Sequence, residues 1–518
     1  MIDLHSVASI LAAEHAHDGE LASGVLMERA STGLAHSVLR LLKQVRGSVV
    51  GARVVLAIGS GNNGGDALFA GAYLAKRGLR VDALTVDQRV HGVGLQSFVR
   101  SGGTVRTWAP DDPKALRLLD GADVIIDGLV GIGATGALRG PAAEVVTAMN
   151  GSQALRIAVD LPSGIDADTG QVPGVAFDAD RTITFGAVKP GLVIAPGKEF
   201  AGTVELIDIG IGAALGLPIA RALQGEDIAT LIPEPGFEDH KYRRGVVGVA
   251  AGSESYPGAA LLCVGGALAG DPGMLQFLDR HDGIARLVVT QYPELVSTAS
   301  VESPRVAAWV CGPGYPASEL DHAAVDAILR TSVPVVLDAG ALTLLAHSAD
   351  LRLLLGERRG VTVITPHEGE FSRLAEAVGA QHVDEVGRLR ATQSLAGVLD
   401  AVVLLKGPGS VIAAPDGACY VDVEGGPVLA TAGSGDVLAG LIGALLAGAQ
   451  ARGAVGSTAD VARIVAAGCA LHGRAGALAG AGGRPVRATD LVHYLGDAVA
   501  EVRRGDSVPD GHRGGSRR

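Results

Sequence analysis

Arg53-Val-Val-Leu-Ala-Ile58 runs straight into Gly59-Ser-Gly-Asn-Asn-Gly-Gly-Asp66, and from Ala67 to Arg77 the apolar spacing becomes helical. A short apolar strand, a glycine-rich loop and a helix, in that order, predict an α/β layer whose loop turns backbone N–H groups toward an anion. The spacing is neither Gly-x-Gly-x-x-Gly nor the Walker pattern, so a generic dinucleotide fingerprint fits poorly. Asn62, Asn63 and Asp66 are also more than a turn requires.

Outward from this stretch, further strands are expected at Arg80 to Val86, Val124 to Ile126 and Arg156 to Val159, with helical stretches between them. From Ser6 to Leu42 the spacing is helical, with Glu14, His15 and Asp18 among the apolar positions. Repeated βα units imply a mostly parallel sheet with helices on both faces and ligands at the carboxyl ends of the strands. Polar clusters fall at such ends: Asn62 to Asp66, Asp127-Gly-Leu-Val-Gly-Ile-Gly133 and Asp160-Leu-Pro-Ser-Gly-Ile-Asp166. One such aspartate commonly caps a helix; three in one sheet suggest a site.

The 518 residues exceed the size at which single cores stop growing, about 250–300 residues, so two domains are expected. After a strand from Thr203 to Ile209, the segment from Gly210 to Pro235 becomes polar and proline-bearing, which places the boundary near Ala222. The second half repeats the βα pattern, with strands at Val246 to Ala250, Ala307 to Val310, Val333 to Leu337, Val361 to Ile364 and Ala401 to Leu405. Its chemistry centres on Leu429-Ala-Thr-Ala-Gly-Ser-Gly-Asp436, which opens the apolar run Val437 to Ala447. Ala432, Gly433, Ser434 and Gly435 can present N–H groups to an anion, and Asp436 is either an N-terminal charge partner or a base aimed at a hydroxyl. Lys406, Gly407, Pro408, Gly409 and Ser410 at another strand end suit a nucleotide's phosphates. Gly258 and Gly314 permit close approach of a ligand, and His367 is either structural or a substrate-orienting group.

Composition narrows the class. Hydrophobic residues make up 48% but aromatics only 3%, and 75 glycines imply many tight turns, as suits α/β layers. A net charge of −12 argues against nucleic acid or anionic lipid as partner. Cys263, Cys311, Cys419 and Cys469 have no metal-binding or disulfide spacing. Met1-Ile-Asp-Leu-His-Ser6 lacks a secretory pattern, and no apolar run reaches the roughly 18 residues of a membrane span, so a cytoplasmic location is expected. The large apolar fraction suggests a homo-oligomer. The tail, 505–518, is expected to be disordered.

Gly61 to Asp66, Asp127 to Gly133, Ala158 to Asp168 and Thr184-Phe-Gly-Ala-Val-Lys-Pro-Gly-Leu192 together closely resemble the NAD(P)H-hydrate epimerase domain over roughly residues 1 to 215. The resemblance implies a Rossmann-like α/β/α sandwich, 1–222, that binds the hydrated nucleotides NADHX and NADPHX. Its contacts would be Asn62, Asn63, Gly64, Gly65, Asp66, Val130, Gly131, Ile132, Gly133, Ala134, Thr135, Gly136 and Asp160. It further implies a potassium ion held by Asn63, Asp127 and Ser163, whose hard oxygens suit such a cation. Asp160 is the candidate proton-transfer group. Lys189 is a weaker candidate, read as a surface lysine in a turn.

Gly252-Ser253, Tyr256 to Ala260, Gly312 to Gly314, Asp338-Ala339, Thr365 to His367, Lys406-Gly407 and Gly433 to Asp436 resemble the ADP- or ATP-dependent NAD(P)H-hydrate dehydratase, a ribokinase-like α/β/α fold. The resemblance covers roughly Leu223 to Gly496 and implies a dehydratase domain, 223–504. That domain would phosphorylate the ring hydroxyl of the S hydrate with ADP or ATP and magnesium, then release phosphate. Gly258, Gly314, His367 and Asp436 would face the hydrate, with Asp436 catalytic; Lys406 to Ser410 and Gly435 would face the nucleotide. The chain departs from the family pattern at Ala432, where glycine is common, and at Gly340 and Thr343, where the segment usually reads Asp-Ala-Asp-Ala-Leu-Asn. Asp271-Pro-Gly273 also interrupts the stretch after the first helix. The alternatives are a ribokinase-like kinase of a small alcohol with an accessory first domain, or a first domain that only binds or scaffolds.

Overall fold

The computed structural model describes residues 1–232, 234–280, 283–303 and 305–505. From residue 506 onward, the expected disordered tail lies outside the described residues. The chain divides into two compact units, Asp3–Ala220 and the remainder, made of Met1–Ile2 and the chain from Arg221 on.

In the first unit a seven-stranded sheet has the order Thr104–Thr107, Arg80–Thr85, Arg53–Ile58, Val124–Gly128, Leu155–Val159, Arg181–Phe185, Thr203–Ile207. Every pairing is parallel. The Arg53–Ile58 strand shows why both faces must be covered. Val54, Leu56 and Ile58 enter one apolar core and Val55 and Ala57 the other, as alternating side chains of a doubly covered sheet must. Chain order reverses between the Arg53–Ile58 and Val124–Gly128 strands, which opens a crevice at their carboxyl ends. Sequence patterning missed Thr104–Thr107 and Arg181–Phe185 as strands. It also drew Asn62 to Asp66 as loop, whereas the helix spans Asn62–Lys76 and those residues form its first turns.

In the second unit the sheet runs Ala220–Ala222, Cys419–Val421, Val411–Ala413, Val402–Leu405, Thr362–Ile364, Val335–Leu337, Ala308–Cys311, Val246–Ala250, Met274–Leu278, Val296–Thr298. It is not wholly parallel. Val411–Ala413 pairs antiparallel with both of its neighbours, because the short connections on either side of it, 406–410 and 414–418, can only make hairpin returns. The region expected to act as linker already belongs to this sheet, since Arg221 pairs with Tyr420.

The long apolar helix Ser434–Ala451 has a span's length and composition but is a core element, with 78% of it buried. It packs against Pro257–Ala269 almost backbone to backbone. A Cβ on Gly440 would lie 1.9 Å from the Cys263 carbonyl, one on Gly266 2.1 Å from that of Val437, and one on Gly443 2.1 Å from the Val310 side chain. Gly440→Ala should therefore destabilise this unit by about 1–3 kcal/mol, although alanine's helix preference exceeds glycine's by about 1 kcal/mol. Urea unfolding monitored by Trp309 emission in a Trp108→Phe background tests this; an unchanged or higher midpoint would mean that the helices can separate freely.

Candidate functional sites

The crevice of the first unit is a cleft of about 440 Å³. One wall is apolar and comes from the N-terminal helices: Ile10 and Leu11 of Val7–His15, Leu21 of Asp18–Ser23, and Leu26, Met27 and Ala30 of Val25–Arg46. The polar wall brings together Asn62, Asn63, Asp66, Val130, Gly131, Ile132, Gly133, Ala134 and Asp160. Gly64 and Gly65 are buried and do not line it; their missing side chains let the helix sit on the Gly59 carbonyl and on His91 and Met27. Thr135 and Gly136 are exposed and lie outside it.

Asp160 follows the Leu155–Val159 strand with φ of 65°, a conformation that asparagine and aspartate tolerate better than other residues and that often marks a functional position. Its Oδ1 accepts hydrogen bonds from the Phe185 amide (3.0 Å), the Thr184 hydroxyl (3.2 Å) and the Lys189 ammonium. Lys189 is not the surface lysine expected from sequence. It is fully buried, and its ammonium also donates to Thr184 Oγ1 and the Phe185 carbonyl, both at 2.9 Å. Burial is affordable only because this charge is paired. Two further acids share the cleft. Burial, then the nearby Asp160 and Glu14 charges, pushes the Asp66 carboxyl well above the carboxylate range. Burial also raises Glu14, as does Asp160, while Lys189 pulls it down. Glu14 was visible only as one charge on an amphipathic helix.

Beneath the cleft, Asn63, Asp127 and Ser163 meet around Val130. Asp127 Oδ1 accepts from Ser163 Oγ (2.7 Å) and Oδ2 from the Ser163 amide (2.8 Å). Asn63 Nδ2 donates to the Val130 carbonyl (2.9 Å), and the Val130 amide donates to Ser163 Oγ (3.2 Å). Burial pushes the Asp127 carboxyl up to about 6 against the lowering pull of Ser163 and Leu129. The set of amide, carbonyl, hydroxyl and carboxylate oxygens fits a hard monovalent cation. Among the described residues no cluster of His, Cys, Asp and Glu suits a transition metal.

In the second unit, the carboxyl ends of three strands converge on Asp338. Its Oδ1 accepts from Lys406 Nζ (2.7 Å) and Thr365 Oγ1 (2.8 Å). Burial lowers the Lys406 ammonium, but Asp338, Glu370 and Asp436 outweigh it and leave the group raised. The same ammonium lies against the helix start, 3.2 Å from where a Cβ of Gly435 would stand. Gly433 caps that helix with φ of 86°, and Asp436 sits in its first turn. Burial and Asp338 push the Asp436 carboxyl up to about 7, with Lys406 opposing. The left-handed residue of the turn is thus Gly433, and Ala432 is exposed and under no such demand.

Other expected residues take different positions. Gly258 is exposed with open space above it, whereas Gly314 packs against Ala259 and the Tyr256 carbonyl. His367 is exposed and caps the helix Glu368–Val378, its Nδ1 accepting from the Gly369 amide (3.1 Å). Gly407 and Pro408 are exposed; Gly409 and Ser410 are buried, and Ser410 Oγ donates back to the Gly407 carbonyl (2.9 Å). Gly340 is explained by the Tyr315 carbonyl, 2.2 Å from where its Cβ would be, which leaves no room for an aspartate. Arg388 escaped the sequence analysis. It is buried, donates to the Lys406 carbonyl (2.9 Å) and pairs with Glu368, bracing the Lys406 loop. It sits in an ordinary helical pattern with no local signal.

Comparison with known proteins gives two family matches, "YjeF-related protein N-terminus" over residues 23–191 and "NAD(P)H-hydrate dehydratase" over residues 247–496. The chain is 43% identical over 447 residues to a bifunctional NAD(P)H-hydrate repair enzyme of Mycobacterium tuberculosis, covering 86% of this chain and 89% of that protein. To the same enzyme of Mycobacterium leprae it is 41% identical over 507 residues, covering 96% and 99%. Among solved structures, the ADP/ATP-dependent NAD(P)H-hydrate dehydratase of Bacillus subtilis, co-crystallised with ATP and magnesium, matches at 30% identity and a TM-score of 0.47, covering 55% of this chain and 99% of that one. By these matches along nearly its whole length, the chain belongs to the family of bifunctional NAD(P)H-hydrate repair enzymes, which join an epimerase to a dehydratase.

Proposed function

We propose that residues 1–222 interconvert the R and S hydrates and that residues 223–504 dehydrate the S form at the expense of ADP or ATP. The family matches fall one in each compact unit, which supports this division. The match of both halves to repair enzymes leaves the small-alcohol kinase and the scaffolding first domain without a supporting observation.

The observation that carries the dehydratase reading is Asp436. A carboxyl held near neutrality, in the first turn of a glycine-capped helix and beside a buried ammonium, is suited to take a proton from a hydroxyl while the N–H groups of that turn face the phosphoryl group. The hydroxyl oxygen attacks phosphorus, the nucleotide leaves one phosphate shorter, and Lys406, anchored on Asp338, has donors left for the departing oxygens. The new phosphate then leaves with the C–O electron pair as the ring nitrogen's lone pair forms C=N⁺, and loss of a proton from the neighbouring ring carbon restores the ring double bond. Magnesium, held by phosphate oxygens with one or two carboxylates, would neutralise phosphate charge. Gly258, with open space above it, suits close passage of the hydrate, and the exposed His367, its Nδ1 capping a helix and its Nε2 3.5 Å from Glu370 Oε1, would orient it.

In the first unit, Asp160, oriented by Lys189, is the proton-transfer group, and the oxygens around Val130 would hold potassium beneath the cleft. The four cysteines are free and buried, which supports the cytoplasm as the site of action. Homo-oligomer formation stays within the proposal on the strength of the apolar composition.

These roles separate in assays of dihydronicotinamide absorbance on mixed hydrates. Asp436→Asn should lower dehydration by roughly 10²–10⁴-fold. In the intact enzyme kcat/KM for dehydration should rise with pH through about 7, because the base must be ionised and protonation of Asp436 below that pH removes it. A profile flat across neutrality would eliminate Asp436 as the base. Asp160→Asn should restore the S fraction and leave the R fraction untouched; conversion of both would assign the proton transfer elsewhere. Replacing potassium by tetramethylammonium should slow epimerisation, and equal rates in the two salts would remove the ion from the site.

A further inference from the structure

The cleft holds three carboxyl groups, Glu14, Asp66 and Asp160, against one ammonium, Lys189. Asp160 is spoken for: its Oδ1 gathers Lys189, Thr184 and Phe185. Asp66 stands on a different element, the helix Asn62–Lys76, and is only 8% exposed, yet its buried Oδ1 has no hydrogen-bond partner. A buried carboxylate without a partner is costly, so burial and the like charges of Asp160 and Glu14 strengthen this group's hold on a proton. It lines the cleft together with Glu14 and Asp160.

Epimerisation of a hydrate needs such a group. Water adds to an enamine at the carbon next to nitrogen, so the hydroxyl to be inverted sits on a carbon bonded to the ring nitrogen. Inversion by loss and return of water requires one acid for the departing hydroxyl and one base for the incoming water. Resting on the epimerase reading of this domain, we propose that Asp66 is a second catalytic residue, the acid that protonates the departing hydroxyl, with Asp160 as base for the water that returns on the other face. The Asp66 proton goes to the hydroxyl oxygen, the C–O bond breaks with its electron pair leaving as water, and the nitrogen lone pair forms C=N⁺. Water adds to the same carbon, the π pair returns to nitrogen, and the surplus proton passes to Asp160. Return of that proton to Asp66 through cleft water restores the starting state. In the reverse direction the two groups exchange roles.

The test runs in heavy-oxygen water with the full chain, the separate R and S hydrates as probes, and no nucleotide, so that dehydration is silent. The wild type should place one solvent oxygen in the hydrate for each inversion. Asp66→Asn, which keeps the shape and removes the acid, should lose epimerisation and oxygen exchange together by roughly 10²-fold or more in kcat, with KM held within about threefold. Inversion with the original oxygen retained would mean that the ring opens at the C–N bond, and that overturns the proposal even if Asp66→Asn fails to fold. A wild-type kcat in Asp66→Asn overturns it as well. A chain that does not interconvert R and S at all overturns the epimerase reading itself, a result distinct from either of these.

Discussion

A lysine ammonium taken out of water must be neutralised, and in both units that demand organises the carboxyl edge of the sheet. Lys189 is fully buried on Asp160, and Lys406 is largely buried on Asp338. Removing either aspartate would leave an uncompensated buried charge, a change that typically costs about 3–5 kcal/mol. Each aspartate therefore does more than point at a ligand. Asp160 ties the end of its own strand to the end of Arg181–Phe185 and, through Lys189, to the turn after it, and Asp338 joins three neighbouring strand ends through Thr365 and Lys406. Backbone strain accompanies both, at Asp160 itself and at Ala339 beside Asp338, each with positive φ.

The two sites handle their carboxyl groups differently. Around Asp160 the acids outnumber the single ammonium, so proton affinity within the cleft is spread over groups on separate elements. Around Asp436 one carboxyl is raised by burial and by Asp338, and restrained by Lys406. The first arrangement suits reversible proton exchange, the second a single directed removal. The first rests on the helix Asn62–Lys76, which follows a strand end, and the second on Ser434–Ala451, which follows the short turn Pro427–Leu429; both helices seat through glycines whose absent side chains let backbones meet.

Much of this was legible from spacing. Apolar runs ending in polar residues located most of the central strands, because a strand buried on both faces must be apolar along its length. The edge strands Thr104–Thr107 and Val296–Thr298 escaped because partly exposed positions carry no such run. Asn62 to Asp66 was drawn as loop because adjacent Asn and Gly residues disfavour a helix interior; packing of Gly64 on the Gly59 carbonyl overrode that preference.

The sequence by itself determined the two-unit α/β architecture, the strand ends that carry chemistry and the motifs of both activities, because each is written in a contiguous stretch. Only the tertiary structure decided which of those residues meet. It buried Lys189, set Arg388 behind the Lys406 loop, turned His367 into a helix cap, and brought Glu14 and Asp66 into the cleft with Asp160. The physical reason is that burial and charge pairing are properties of the space between elements, and the affinity of a carboxyl for its proton follows from that space rather than from its neighbours in the chain.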